Sequence, residues 1–126
     1  MPLWALRGAV QLDADEKQHL LERSQELFST MLTANALTPD DLVSVILTAT
    51  PDLRSAFPAE ALRTMGLVDI PLMCAQELDI VGALPRVVRI MAHVRTARAR
   101  PEAHHIYLGG AAALRRDLVG PSGDVR

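Results

Sequence analysis

Residues 3–12 alternate. In "LWALRGAVQL" (residues 3–12), Trp4, Leu6, Val10 and Leu12 share one side with Gly8, while Leu3, Ala5, Arg7, Ala9 and Gln11 share the other. A period of two with one strongly apolar side predicts a β-strand covering a core. The period then lengthens. Across "DADEKQHLLERSQELFSTMLTAN", Leu20, Leu21, Leu27, Phe28, Met31 and Leu32 mark one face of a helix. Asp13, followed three residues later by Glu16, is an opening capping signature, and Asn35 is a natural terminator. Such a helix should lie on a sheet.

The remaining pattern is shorter in period and in length. "TPDD" at 38–41 predicts a short helical start with Thr38 as cap and Pro39 at its first position. "LVSVILTAT" (42–50) is the most strand-like run, and "PDLRSAF" (51–57) is a turn or loop. "PAEALRTMG" (58–66) begins with Pro and stops at Gly, the asymmetry of a short helix. "LVDIPLMC" (67–74) reads as a strand, with Pro71 placing it at an edge or beside a bulge. In the strand predicted over 86–95, Val88, Ile90, Ala92 and Val94 form a clean apolar face; Val87, Arg89, Met91, His93 and Arg95 form a mixed one. "HIYL" is a short strand, "AAAL" another that ends at Arg115, and "GPSGDVR" a flexible tail. The order β-α-β-α-β-β-β predicts an α/β (α+β) fold: a mixed sheet with helices on one face, in one domain over 1–118, with a tail at 119–126.

Composition narrows the function. The chain has 126 residues, nearly half of them apolar, and a net charge of −2. That is a globular chain, with no apolar run near the ~20 residues of a membrane span. The N-terminus lacks the features of a signal peptide, and one cysteine allows no internal disulfide; together these predict a cytoplasmic protein. The slightly acidic balance, four aromatic residues and absence of a dense basic run argue against nucleic acid as a partner. Charge is uneven, however. Residues 1–60 hold four basic and nine acidic side chains, residues 61–126 nine and six, and Lys17 is the only lysine beside twelve arginines.

The candidate chemistry is sparse. His19, His93, His104 and His105 fall in no metal-ligand spacing, so no metal is expected. "LGGAAAL" lacks the lysine and helix start of a phosphate loop and reads as a bend. Cys74 without an activating base reads as a small buried hydrophobe. The arginines remain. Arg7, Arg89 and Arg115 lie in or at the ends of apolar strands, on the less apolar side or tip. Each suits a solvent-facing position. Jointly they suit a cationic pocket for a small polyanion, whose neutral groups Glu77 and Tyr107 could read.

Four separated segments go further: "LRGAV", "TATPDLRSAFPAEALR", "PLMCAQELDIVGALPRVVRIM" and "HHIYL…LRRDL". In order, spacing and length they resemble the AroH class of chorismate mutases over about residues 3–118. The resemblance implies a homotrimer with a pseudo-α/β-barrel, active sites between subunits and no cofactor. It also implies conversion of chorismate to prephenate, an isomerase reaction on the route to phenylalanine and tyrosine. Carried over by motif, Arg89, Glu77 and Cys74 would be catalytic: Arg89 at the ether oxygen and side-chain carboxylate, Glu77 and Cys74 at the ring hydroxyl. Arg7 and Tyr107 would hold a carboxylate. Phe57 and Arg63 would come from the neighbouring subunit, Arg115 would close over the cleft, and Met73 and Leu114 would line it.

The implied reaction is a Claisen rearrangement, in which a carbon–oxygen bond breaks as a carbon–carbon bond forms in one molecule. It needs no base and no nucleophile, which fits a site made of arginines and one carboxylate. Four positions, in three places, depart from the class. Glu60 stands where relatives often carry lysine, Leu72-Met73 replaces a pair that often includes threonine, and Arg116 replaces a common proline. Two other readings stay open at this point: a Rid-type imine deaminase of similar trimeric size, and a non-catalytic relative that retained the anion pocket.

Overall fold

A computed structural model describes residues 1–97 and 103–112, together with the backbone of 124–125. The elements run β1 (Leu3–Gln11), α1 (Lys17–Ala34), a 3-10 turn (Pro39–Asp41), β2 (Leu42–Ala49), α2 (Pro58–Thr64), β3 (Leu72–Gln76), β4 (Val87–Arg95), β5 (His105–Leu108) and β6 (Asp124–Val125). They form one mixed sheet in the order β3-β2-β4-β1-β5-β6. β4 runs antiparallel to both of its neighbours, β1 and β2, whereas β3 is parallel to β2 and β5 to β1. No helix of the described residues is long and apolar enough to cross a membrane.

Both helices lie on one face. The alternating side chains of β1 (Leu6, Val10), β2 (Val45, Leu47) and β4 (Val88, Ile90, Ala92, Val94) meet Leu20, Leu27, Phe28 and Met31 of α1 and Ala61 and Leu62 of α2. Each large side chain taken fully out of water here contributes ~1.5–3 kcal/mol. Gly8 lets α1 approach: a Cβ there would stand 2.5 Å from Met31 Sδ and 3.0 Å from Leu27 Cδ1. Among the described residues, the opposite face carries a small cluster, Ala9, Val87, Tyr107 and Ala111.

Several boundaries differ from the sequence reading, each for a local reason. The cap of α1 is Glu16, not Asp13; its carboxylate accepts from the N–H groups of Gln18 (3.0 Å) and His19 (2.8 Å). Asp15 is used elsewhere, accepting from the N–H groups of Arg54 (3.0 Å) and Ser55 (3.1 Å), which ties the 51–57 loop to the start of α1. Asn35 does end the helix, and its side chain donates to Met31 O and His104 O, so the helix end is fastened to the approach to β5. Thr38 and Pro39 open a single 3-10 turn in which Asp41 accepts from the Thr38 N–H at 2.9 Å. Residues 67–71, predicted as strand, are instead an irregular connection with a bend at 69–70; β3 starts only after Pro71, whose carbonyl accepts from Val45 N at 3.0 Å. As expected of a strand beginning at proline, β3 is an edge.

The "AAAL" strand is corrected as well. After β5, Gly109 adopts a positive φ of 60° and begins a 3-10 turn over 109–112, which sets Ala111 against Tyr107. Leu114, Arg115 and Arg116 lie outside the described residues. Of the predicted tail, only Asp124–Val125 is described, as a short strand antiparallel to β5.

Candidate active site

Strand register assembles the site. Ala75 is paired with Thr48, Thr48 with Arg89, Arg89 with Ala9 and Ala9 with Tyr107. Directly paired residues project to the same side of a sheet. This row therefore crosses five strands on the face opposite the helices. Arg89 sits at its middle because β4 is central. Val88 and Ile90 on either side are buried at 0% and 1% exposure, so they hold the strand and turn the guanidinium outward.

Glu77 joins from the sheet edge. Its N–H donates to Ala49 O at 2.9 Å, which continues the β3 ladder one residue past the strand and gives Glu77 the same facing as Ala75. There its Oε2 accepts a hydrogen bond from Thr48 Oγ1 and lies 3.7 Å from Arg89 Nε. Arg7, two residues before Ala9, points to the same face; its N–H donates to His105 Nδ1 at 3.0 Å, locking β5 and Tyr107 in register beside it. Arg7, Thr48, Glu77, Arg89, Met91 and Tyr107 share a cavity of about 260 Å³. Its formal charges are two guanidinium groups and one carboxylate. It therefore favours an anion.

The turn before β4 fixes the height of Arg89. Arg86 adopts a φ of 54°, a conformation that costs a non-glycine residue ~1–2 kcal/mol. Asp52 offsets this by accepting from Arg86 N with both oxygens (3.2 and 3.0 Å), and Arg86 Nε donates to Leu12 O at 3.0 Å. These contacts were not legible as a motif, because Asp52 and Arg86 are joined only by the fold.

The other expected residues fall in two places. Met73, paired with Ile46, faces the open side and is 57% exposed. Cys74 is paired with Leu47 and packs against the main core, so its thiol lies on the helix side, away from Arg89. The expectation that its side chain joins Glu77 is corrected: a one-residue step along a strand reverses the face. What Cys74 presents at the edge is its backbone. Val45 N bonds Pro71 O, and Glu77 N bonds Ala49 O, so alternation turns the N–H groups of Met73, Ala75 and Glu77 toward β2 and that of Cys74 outward.

Phe57, at the N-terminus of α2, is 71% exposed and lines a second cavity of about 510 Å³ with Lys17, Arg54, Glu60 and Cys74. Arg63 is exposed in the last turn of α2. Within one chain, then, Phe57 and Arg63 belong to the helix layer and do not reach the Arg89 cavity. Glu60 is not a bare negative charge: Lys17 Nζ lies 3.6 Å from its Oε1.

The described residues define a small α+β protein whose polar centre is a pocket lined by two guanidinium groups and one carboxylate. The chain belongs to the chorismate mutase type I family, whose description matches residues 3–118. It is 34% identical over 119 residues to the chorismate mutase AroH of Bacillus subtilis (strain 168), covering 94% of each chain. It is 40% identical over 114 residues to that of Thermus thermophilus, covering 90% of this chain and 93% of the relative. Its fold matches a solved chorismate mutase from Clostridium thermocellum with a TM-score of 0.85 and 39% identity, over 87% of this chain and 98% of that one. Membership decides in favour of the mutase reading and against the imine deaminase.

Proposed function

We infer that the chain catalyses the Claisen rearrangement of chorismate to prephenate, in the cytoplasm and without a cofactor. The observation that carries this reading is the placement of Arg89 Nε 3.7 Å from Glu77 Oε2, in one cavity with Arg7 and Tyr107. As the ether bond lengthens, negative charge gathers on its oxygen and the ring fragment becomes relatively positive. Arg89 meets the first and Glu77 the second, and both charges are in position before the reaction begins. Arg7 and Tyr107 hold a carboxylate and keep the substrate in its compact reactive conformer. The outward N–H of Cys74 is available to the ring hydroxyl.

A homotrimer completes the site. One chain supplies two guanidinium groups and one carboxylate to the cavity, a net charge of +1, whereas chorismate carries two negative charges. Arg63 and Phe57 of a neighbouring subunit, with Arg115 and Leu114 from the chain end, supply the missing charge and wall. Support comes from the surface. Phe57 (71%), Met73 (57%), Leu78 (79%) and Ile80 (61%) are exposed apolar side chains around the β3 edge and its following loop. Apolar surface beside an unpaired strand edge marks an interface.

The test is direct: loss of the diene absorbance of chorismate with prephenate identified as product, and a trimeric mass by light scattering. Absence of turnover would leave an anion-binding relative. Because no proton moves, kcat is expected to stay flat across neutral pH; a bell with two ionisations there would instead point to acid–base catalysis. A smaller effect is expected at the mouth of the cleft. Lys17→Gln leaves Glu60 uncompensated beside a dianion, so kcat/KM should fall a few-fold at low salt with kcat unchanged. High salt should shrink the difference, since Lys17 is exposed and Glu60 partly so.

A further inference from the structure

We propose that Thr48 is a positioning residue, which keeps Glu77 from collapsing onto Arg89 and so leaves one carboxylate oxygen for the substrate. The inference rests on the mutase reading of the same site. Thr48 sits in the row between the two charged groups, laterally paired with Arg89 on one side and Ala75 on the other. Its hydroxyl donates to Glu77 Oε2, the same oxygen that faces Arg89 Nε at 3.7 Å. That separation is beyond a hydrogen bond. Among the described residues, Glu77 Oε1 has no partner.

Two arrangements of these groups compete. A guanidinium and a carboxylate on neighbouring strands tend to close into a two-pronged pair, which would satisfy both groups and neutralise the cation. Arg89 would then have less field to offer a departing oxygen, and Glu77 no lone pair directed at the ring. A hydroxyl on Oε2 opposes that closure, because it holds the carboxylate rotated with Oε1 free. Threonine suits this role because its branched Cβ restricts χ1, so the hydroxyl stays aimed from a strand position. Glu77 lies just past the end of β3; its N–H is held by Ala49 O, but that bond does not fix the carboxylate. The hydroxyl of Thr48 does so instead.

Thr48→Val keeps shape and strand propensity but removes the donor. The expected result is a fall in kcat of about 10- to 100-fold, the range of a hydrogen bond to a charged group, with KM changed less than three-fold or so. Thr48→Ser, which restores the hydroxyl, should return most of the rate. In a Glu77→Gln background Thr48→Val should cost little more, because its route of action is already gone. Thr48→Ala serves if the valine variant does not assemble. The proposal is overturned by a Thr48→Val (or Thr48→Ala) enzyme within two-fold or so of wild-type kcat, by a serine variant as impaired as valine, or by additive losses with Glu77→Gln. Wild-type protein without activity on chorismate would instead remove the reading on which the proposal rests, and the two failures are separable.

Discussion

Arg89→Ala lowers kcat by roughly 10³-fold or more while the protein remains folded and assembled. Removing a single preorganised neutral donor from a developing oxyanion already costs ~2.7–4 kcal/mol. Here the lost group carries a full charge and sits at the centre of the sheet, flanked by buried Val88 and Ile90, with little freedom to be replaced by a neighbour. Its side chain is half exposed in the lone chain, so the fold does not depend on it. Arg89→Lys is the sharper variant. It keeps the charge but loses the planar fork that contacts two groups together, and it should recover only a small part of the rate. The measurement is kcat at saturating chorismate with mass and melting temperature as controls. Near-normal turnover would move the chemistry away from this row.

Glu77→Gln is expected to reduce kcat by about 10²-fold, the lower end of what a lost transition-state contact costs. The amide can still occupy the space and accept from Thr48, so binding changes much less than rate. What disappears is the negative charge facing the positive ring fragment. A loss confined to KM would mean that the carboxylate only holds the ring hydroxyl. The Arg89 and Glu77 effects should also be less than additive, since the two side chains are near neighbours and each shapes the other.

Much of this was readable along the chain. Trp4, Leu6, Gly8, Val10 and Leu12 as one face of β1, and Val88, Ile90, Ala92 and Val94 as one face of β4, followed from a period of two. The side chains in these sets belong to the core under the helices, and Gly8 faces Met31 and Leu27 of α1. The motifs "LRGAV", "CAQE", "VVRIM" and "HHIYL" pointed to the family to which the chain belongs. The misreadings share a cause. In "LVDIPLMC" and "AAAL" apolar composition suggests strand, but Ile70 and Ala111 pack onto a core from a bend and a 3-10 turn. Asp13 and Glu16 both suit a helix cap in the sequence; Glu16 is the one whose carboxylate meets the first N–H groups of α1.

Cys74 and Thr48 show the limit most clearly. The "CAQE" spacing joins the thiol to Glu77 in the sequence, yet odd and even positions of one strand face opposite ways, and the pairing with Leu47 sent the thiol to the core. Thr48 looked like an ordinary strand residue. Nothing near it in the chain carries a charge, and only register with β3 and β4 places it between two that do.

From the amino-acid order alone came most of the elements, the sides that β1 and β4 turn to the core, and the arginines of the candidate site, because those depend on neighbours within a few residues. The strand order β3-β2-β4-β1-β5-β6, the alignment of Thr48 with Arg89, and the separation of Phe57 from the pocket were decided by the fold. They rest on hydrogen bonds and side-chain contacts between segments far apart in the chain, where the local period carries no information about which partner, or which register, has the lower free energy.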